Sequence, residues 1–128
     1  MEKKILFVDL DGTLLDDNKN ITPENLAAIQ KATEAGHAVV VTTGRPLYST
    51  IFQLEKLHMD KPGCYAITSN GALIYDAHTK KIIFQTGVDK NCIREAFDEA
   101  YKFGLHPITA FSASVKTRRF STMPNLPW

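Results

Sequence analysis

Three features of this sequence predict an open α/β domain built on a parallel sheet. Three apolar runs, residues 5–8, 38–41 and 65–68, each stop in a polar, glycine-bearing turn. Apolar residues at helical spacing lie between the first and second runs and again between the second and third. The first run, Ile5-Leu6-Phe7-Val8, does not alternate with polar residues, which is the pattern of a strand buried on both faces. Units of this kind have parallel strands and right-handed crossovers. Their turns therefore gather along one edge of the sheet, where open α/β sheets bind ligands.

Each element has its own signals. Thr22 is placed to cap a first helix and Pro23 to occupy its first position. Leu26, Ile29, Ala32 and Ala35 give this helix an apolar face, and Gly36 ends it. Pro46 is expected at the first position of a second helix, with Leu47, Ile51, Leu54 and His58 on one face and Lys61-Pro62-Gly63 as the break. After Asn70-Gly71 the rhythm changes. Residues 73–76 and 81–85 flank His78-Thr79-Lys80 and predict an antiparallel hairpin. Asp89 is expected to cap a third helix, burying Ile93, Phe97, Ala100 and Tyr101 and ending at Gly104. A further strand is expected from Pro107 to Phe111, and residues 112–128 show neither the helical nor the strand period.

Composition narrows the class. The 128 residues are enough for one domain with a real core, and 44% hydrophobic with 23% charged residues is ordinary for a globular protein. A net charge of +1 gives no general case for nucleic acid or a membrane surface. The charge is uneven: residues 1–111 carry 12 Lys and Arg against all 14 acids, while 112–128 carry Lys116, Arg118, Arg119 and no acid. Cys64 and Cys92 form neither a disulfide framework nor a metal motif, and the four histidines have no ligand spacing. With no signal-peptide pattern and no apolar stretch long enough to span a bilayer, the expected location is the cytoplasm.

The chemistry is concentrated where the first run ends, at Asp9-Leu10-Asp11-Gly12-Thr13. Two carboxylates at the end of an apolar strand are costly unless paired or metal-bound. Phosphoryl transfer needs a nucleophile, a proton carrier, a divalent cation and donors for the phosphate oxygens. Asp9 can be the nucleophile and Asp11 the acid and base. The turn offers the oxygen ligands that magnesium takes. Thr43 offers a hydroxyl, Gly44 an amide at a helix start, and Asn70 with Gly71 borders the same edge. Two other metal sites fit less well. An EF-hand loop fails because Leu14 and Asn20 hold its glycine and glutamate positions, and an Asp-x-Asp glycosyltransferase leaves Thr43-Gly44-Arg45 unexplained.

Asp9-Leu10-Asp11-Gly12-Thr13-Leu14-Leu15 resembles the first motif of the haloacid dehalogenase superfamily. Thr43-Gly44-Arg45-Pro46 and Ser69-Asn70-Gly71-Ala72 are similar to turns of its Cof-type phosphatases, and the likeness runs from about Lys4 to Phe111. The resemblance implies a Rossmann-like parallel three-layer sandwich, incomplete here, and the start of an inserted α+β cap. The implied division is a partial core over 1–84, the beginning of the cap over 85–111 and an irregular tail over 112–128. The implied activity is magnesium-dependent hydrolysis of small phosphate esters, such as sugar phosphates, through an aspartyl-phosphate. Asp9 and Asp11 would be catalytic and hold the metal. Gly12, Thr43, Gly44, Arg45 and Asn70 would contact phosphate or substrate, although Arg45 also reads as a solvated charge.

The chain departs from that family in one respect. The lysine that members supply after the cap, and the strand with an acidic Gly-Asp pair that completes the metal shell, have no counterpart in these 128 residues. The foreign tail reads as a truncation or a shifted reading frame. Little turnover is expected from this polypeptide alone, and the alternative is an inactive remnant that binds ligand weakly or only self-associates. The absent strand would have flanked the first one, so residues 5–8 are also expected to offer an exposed apolar edge for self-association.

Overall fold

The computed structural model describes residues 2–107. Strand β1 (Ile5–Asp9) leads through helix α1 (Pro23–Glu34) to β2 (Ala38–Thr42), and helix α2 (Leu47–Lys56) leads on to β3 (Cys64–Thr68). Strands β4 (Leu73–Asp76) and β5 (Lys81–Gln85) form the hairpin, and helix α3 (Lys90–Lys102) follows. The five strands lie side by side in chain order, with β1, β2 and β3 parallel and β3, β4 and β5 antiparallel.

Local chemistry sets the boundaries. Thr22 caps α1 by accepting a hydrogen bond from the Asn25 amide at 3.2 Å, and Pro23 takes the first helical position, where no amide hydrogen is needed. Gly36, at φ +79°, makes the left-handed exit that a side chain would disfavour. In α2 the expectation needs correction by one residue. Pro46 is extended (φ −70°, ψ 156°) and forms the cap itself, so the helix begins at Leu47. His58 lies beyond the helix, exposed and at φ +53°, and does not share the buried face.

The core lies between the sheet and its two crossover helices. Ile29 of α1 and Leu54 of α2 join one cluster with Val39, Val41, Cys64, Ala66, Leu73 and Tyr75. Pairing puts Val39 beside Cys64, Val41 beside Ala66, and Ala66 beside Tyr75, so these residues share one face of the sheet. Both helices therefore cover the same face, as right-handed crossovers in a sheet ordered β1-β2-β3 require.

Two expectations of burial are overturned. The apolar run of β1 predicts burial on both faces, whereas the absent flanking strand predicts an exposed edge, and the structure agrees with the second expectation. The strand is parallel as expected, but among the described residues it pairs only with β2, and Ile5 and Phe7 are 63% and 60% exposed. These two side chains stand on the face opposite the helices, at an edge. Helix α3 buries none of its residues: Tyr101 is exposed and meets Phe97 edge-to-face at 6.4 Å. The expected strand from 107 to 111 and the tail 112–128 lie outside the described residues, apart from Pro107 itself.

Candidate active site

Register builds the floor of the site. Asp9 is paired with Thr42, and Thr42 with Ile67, so one row crosses the last residues of β1 and β2 and the next-to-last residue of β3. Neighbours in a row point to the same face. Together with Thr43, Gly44, Asn70 and Gly71, this row lines an open cleft of about 260 Å³ at the carboxyl ends of the strands. The exits are tied to each other. The Thr43 amide donates to the Ile67 carbonyl and the Ser69 amide to the Arg45 carbonyl, both at 2.9 Å.

The turn after β1 is held from beneath. Leu10, Leu14 and Leu15 are buried, and the amides of Leu14 and Leu15 donate back to the carbonyls of Asp9 and Leu10 at 3.3 and 2.9 Å. The Asn25 side chain, from the first turn of α1, donates to the carbonyls of Thr13 and Leu14 at 3.0 and 3.1 Å. Asp9 and Asp11 are thus fixed by apolar anchors and one amide clamp. Gly12 supplies the left-handed turn (φ +75°) between them and Thr13, and it is not part of the cleft lining.

Asp11 is engaged beside the cleft. Arg45 donates to it through two nitrogens, Nε to Oδ2 at 2.8 Å and Nη2 to Oδ1 at 2.6 Å. Lys19 adds a third contact, Nζ to Oδ1 at 3.1 Å. Lys19 sits at φ +63° in a loop closed by Asp16, whose carboxylate accepts from the Asn20 amide at 2.8 Å. The Arg45 fork and then Lys19 hold the Asp11 carboxyl below the ordinary carboxylate range, and the pairing raises Arg45 in turn.

Thr43 is nearly buried, and its hydroxyl accepts from the Arg45 amide at 3.1 Å, which leaves its own hydrogen free to donate. Gly44 leaves room for the Asn70 side chain: a Cβ there would lie 2.8 Å from Asn70 Oδ1 and would push the end of that side chain aside. Ser69, Asn70 and Gly71 all have positive φ, so the turn that carries Asn70 is strained as well as tightly fitted. Of the residues singled out in the sequence, the cleft therefore gathers Asp9, Thr43, Gly44, Asn70 and Gly71, with Asp11 and Arg45 paired beside it. Thr42, Ile67, Lys19 and Asn25 escaped sequence reading. Thr42 was legible in principle, since it falls opposite Asp9 once the two strands are aligned; Lys19 and Asn25 carry no motif.

Among the described residues no three His, Cys, Asp or Glu side chains cluster as a metal cage. The Asp9 carboxylate and the Asp11 main-chain carbonyl are hard oxygen donors, and magnesium completes a small protein donor set with water.

Two measurements check this geometry. The Asp11 carboxylate should titrate below an ordinary aspartate by carbon-13 NMR, and R45A should return it toward the ordinary value. Because the folded value is the lower one, the pair adds stability above the unfolded pKa, near about 4. That contribution disappears as pH falls through the folded value. In G44A the Asn70 side-chain amide resonances should shift as that side chain swings aside, with a stability cost below about 1 kcal/mol by urea unfolding. Adding N70G should relieve most of it.

Residues 6–118 match the family model described as haloacid dehalogenase-like hydrolase. A Streptococcus pyogenes protein provisionally named a phosphatase is 38% identical over 106 residues, covering 83% of this chain and 39% of its own length. Pyridoxal phosphate phosphatase of Escherichia coli is 35% identical over 83 residues, covering 65% of this chain and 29% of its own. The crystal structure of a haloacid dehalogenase-like hydrolase from Bacteroides thetaiotaomicron superposes with a TM-score of 0.71 at 25% identity, over 79% of this chain and 38% of that one. This chain thus spans well under half the length of the relatives it matches. With Asp9 and Asp11 at the end of the first strand and three turns around one cleft, the chain belongs to the haloacid dehalogenase-like hydrolase family.

Proposed function

We propose that the site is built for hydrolysis of small phosphate monoesters, with Asp9 as nucleophile. The observation that carries this reading is the position of Asp9. Its carboxylate lines the cleft in one row with Thr42, while the donors of Thr43, Gly44 and Asn70 rim the same space. In the proposed reaction an Asp9 oxygen attacks phosphorus, and the bond to the ester oxygen breaks to leave an aspartyl-phosphate. Asp11, in its protonated form, gives the departing alkoxide its proton and, as the carboxylate this leaves, later takes one from the water that cleaves the acyl-phosphate. Thr43 and Asn70 donate to the non-bridging oxygens. Magnesium, held by the Asp9 carboxylate and the Asp11 main-chain carbonyl, would supply the positive charge that lets a carboxylate approach a dianion.

The substrate class follows from the relatives named as phosphatases, one of them of pyridoxal phosphate. A small phosphorylated metabolite, such as a sugar phosphate, suits a cleft of this size. Among the described residues no helix is long and apolar enough to cross a membrane, and a cytoplasmic site of action goes with this reading. In the same reading residues 85–111 open a cap. Hydrolysis of para-nitrophenyl phosphate by this polypeptide should be slow, should require magnesium and should fall about a hundredfold or more in D9N. No turnover in either protein, with phosphate still bound, would favour the inactive-remnant reading.

A second reading concerns assembly. Ile5, Leu6 and Phe7 are exposed on a strand that pairs on one side only among the described residues, and such an edge is a template for another chain. We propose that this polypeptide self-associates through β1. Light scattering should give a mass above that of one chain, reduced by F7K. A monodisperse monomer would contradict this.

A further inference from the structure

We infer that the Asp11 carboxylate and a phosphate anion compete for one guanidinium, that of Arg45, so that occupation of the cleft and release of Asp11 are coupled. The inference rests on the reading of the cleft as a phosphate site. Its starting point is a mismatch of charge. Among the described residues, those lining the cleft include one carboxylate, Asp9, and no cation. Without metal, a phosphate dianion placed there meets repulsion from Asp9 unless positive charge moves in from a side chain. Two cations beside the cleft, Arg45 and Lys19, are both committed to Asp11.

Arg45 is suited to change partners. Its main chain is fixed at the rim of the cleft, with its amide on the Thr43 hydroxyl at 3.1 Å and its carbonyl on the Ser69 amide at 2.9 Å. The flexible part is the side chain, which begins one residue from Gly44 of the lining. The fork that grips Asp11 through Nε and Nη2 matches two phosphate oxygens equally well. Lys19 is the weaker competitor. It makes one contact to Asp11 from a side chain that is 59% exposed, where water screens the pair.

The exchange also resolves a difficulty in the role proposed for Asp11. Held by three hydrogen bonds from two cations, its carboxylate is oriented toward Arg45 and Lys19, and it does not line the cleft. Transfer of Arg45 to the phosphate would remove two of those three bonds. The carboxylate would then be free to turn toward the ester oxygen only when substrate is present. Lys19 would keep Asp11 from leaving the neighbourhood. Arg45 is in this account a binding residue for phosphate and a positioning residue for Asp11.

Inorganic phosphate is the probe, titrated into the 128-residue chain without metal, with affinity read by calorimetry and the Arg45 Nε–H resonance followed by NMR. Wild type, D11N, R45A and D11N/R45A are compared, and dispersed amide spectra confirm folding of each. D11N should tighten phosphate binding about fivefold or more, the size of an ordinary coupling between sites. The gain should vanish in the R45A background, and the Arg45 resonance should move as phosphate is added. Should R45A fail to fold, R45K keeps the charge but loses the fork, and most of the gain should still vanish. An equal gain in the R45A or R45K background would mean general charge repulsion and would overturn the inference. No gain at all in D11N would do the same. Phosphate binding to none of the proteins would overturn the inference together with the reading beneath it.

Discussion

The register of three parallel strand ends is the constraint on which the rest of this site depends. Asp9, Thr42 and Ile67 stand side by side because β1, β2 and β3 are aligned residue by residue. Register in such a sheet is fixed by which residues must face the helices. Val39 and Val41 cannot move off the face covered by α1 and α2 without exposing the core. A slip of one residue in β1 would turn Asp9 to the helix side and Leu10 out of the core, so burial beneath the sheet sets the placement of the carboxylate above it.

The turns after these strands convert alignment into a site. After β1, buried leucines on both sides of the turn, together with the Asn25 clamp, leave Asp9 and Asp11 little freedom. After β2, Thr43 braces the Arg45 amide. After β3, a run of three positive-φ residues presses Asn70 against the one position in the neighbouring turn that has no side chain. Strain of this kind, held by surrounding contacts, is typical of places where position matters more than local stability. The acid–base partner is the exception, since its carboxylate is gripped by Arg45 and Lys19 and its orientation depends on what else those cations meet.

Much of this was legible in the sequence because the signals were local. The Thr22-Pro23 start of α1, the glycine exit at Gly36 and the hairpin around residues 77–80 depend on a few neighbouring residues and came out as read. The convergence of three polar turns followed from the βαβ rule alone. What escaped depended on distance. The run from Ile5 to Val8 reads the same at an edge as in a centre, and only the resemblance, through its absent flanking strand, pointed to the exposure of Ile5 and Phe7. The apolar spacing of α3 likewise says which side would be buried, and its residues are not buried. The Asp11–Arg45 pair spans 34 residues, and nothing local distinguishes a clamp on substrate from a clamp on a neighbouring carboxylate.

The most direct test of the central claim, that Asp9 carries the phosphoryl group, uses beryllofluoride, a mimic of phosphate bound to a carboxylate. With magnesium present, fluorine-19 NMR of the wild-type chain should show a bound species that D9N abolishes and D11N retains. The same bound signal in D9N would contradict the account.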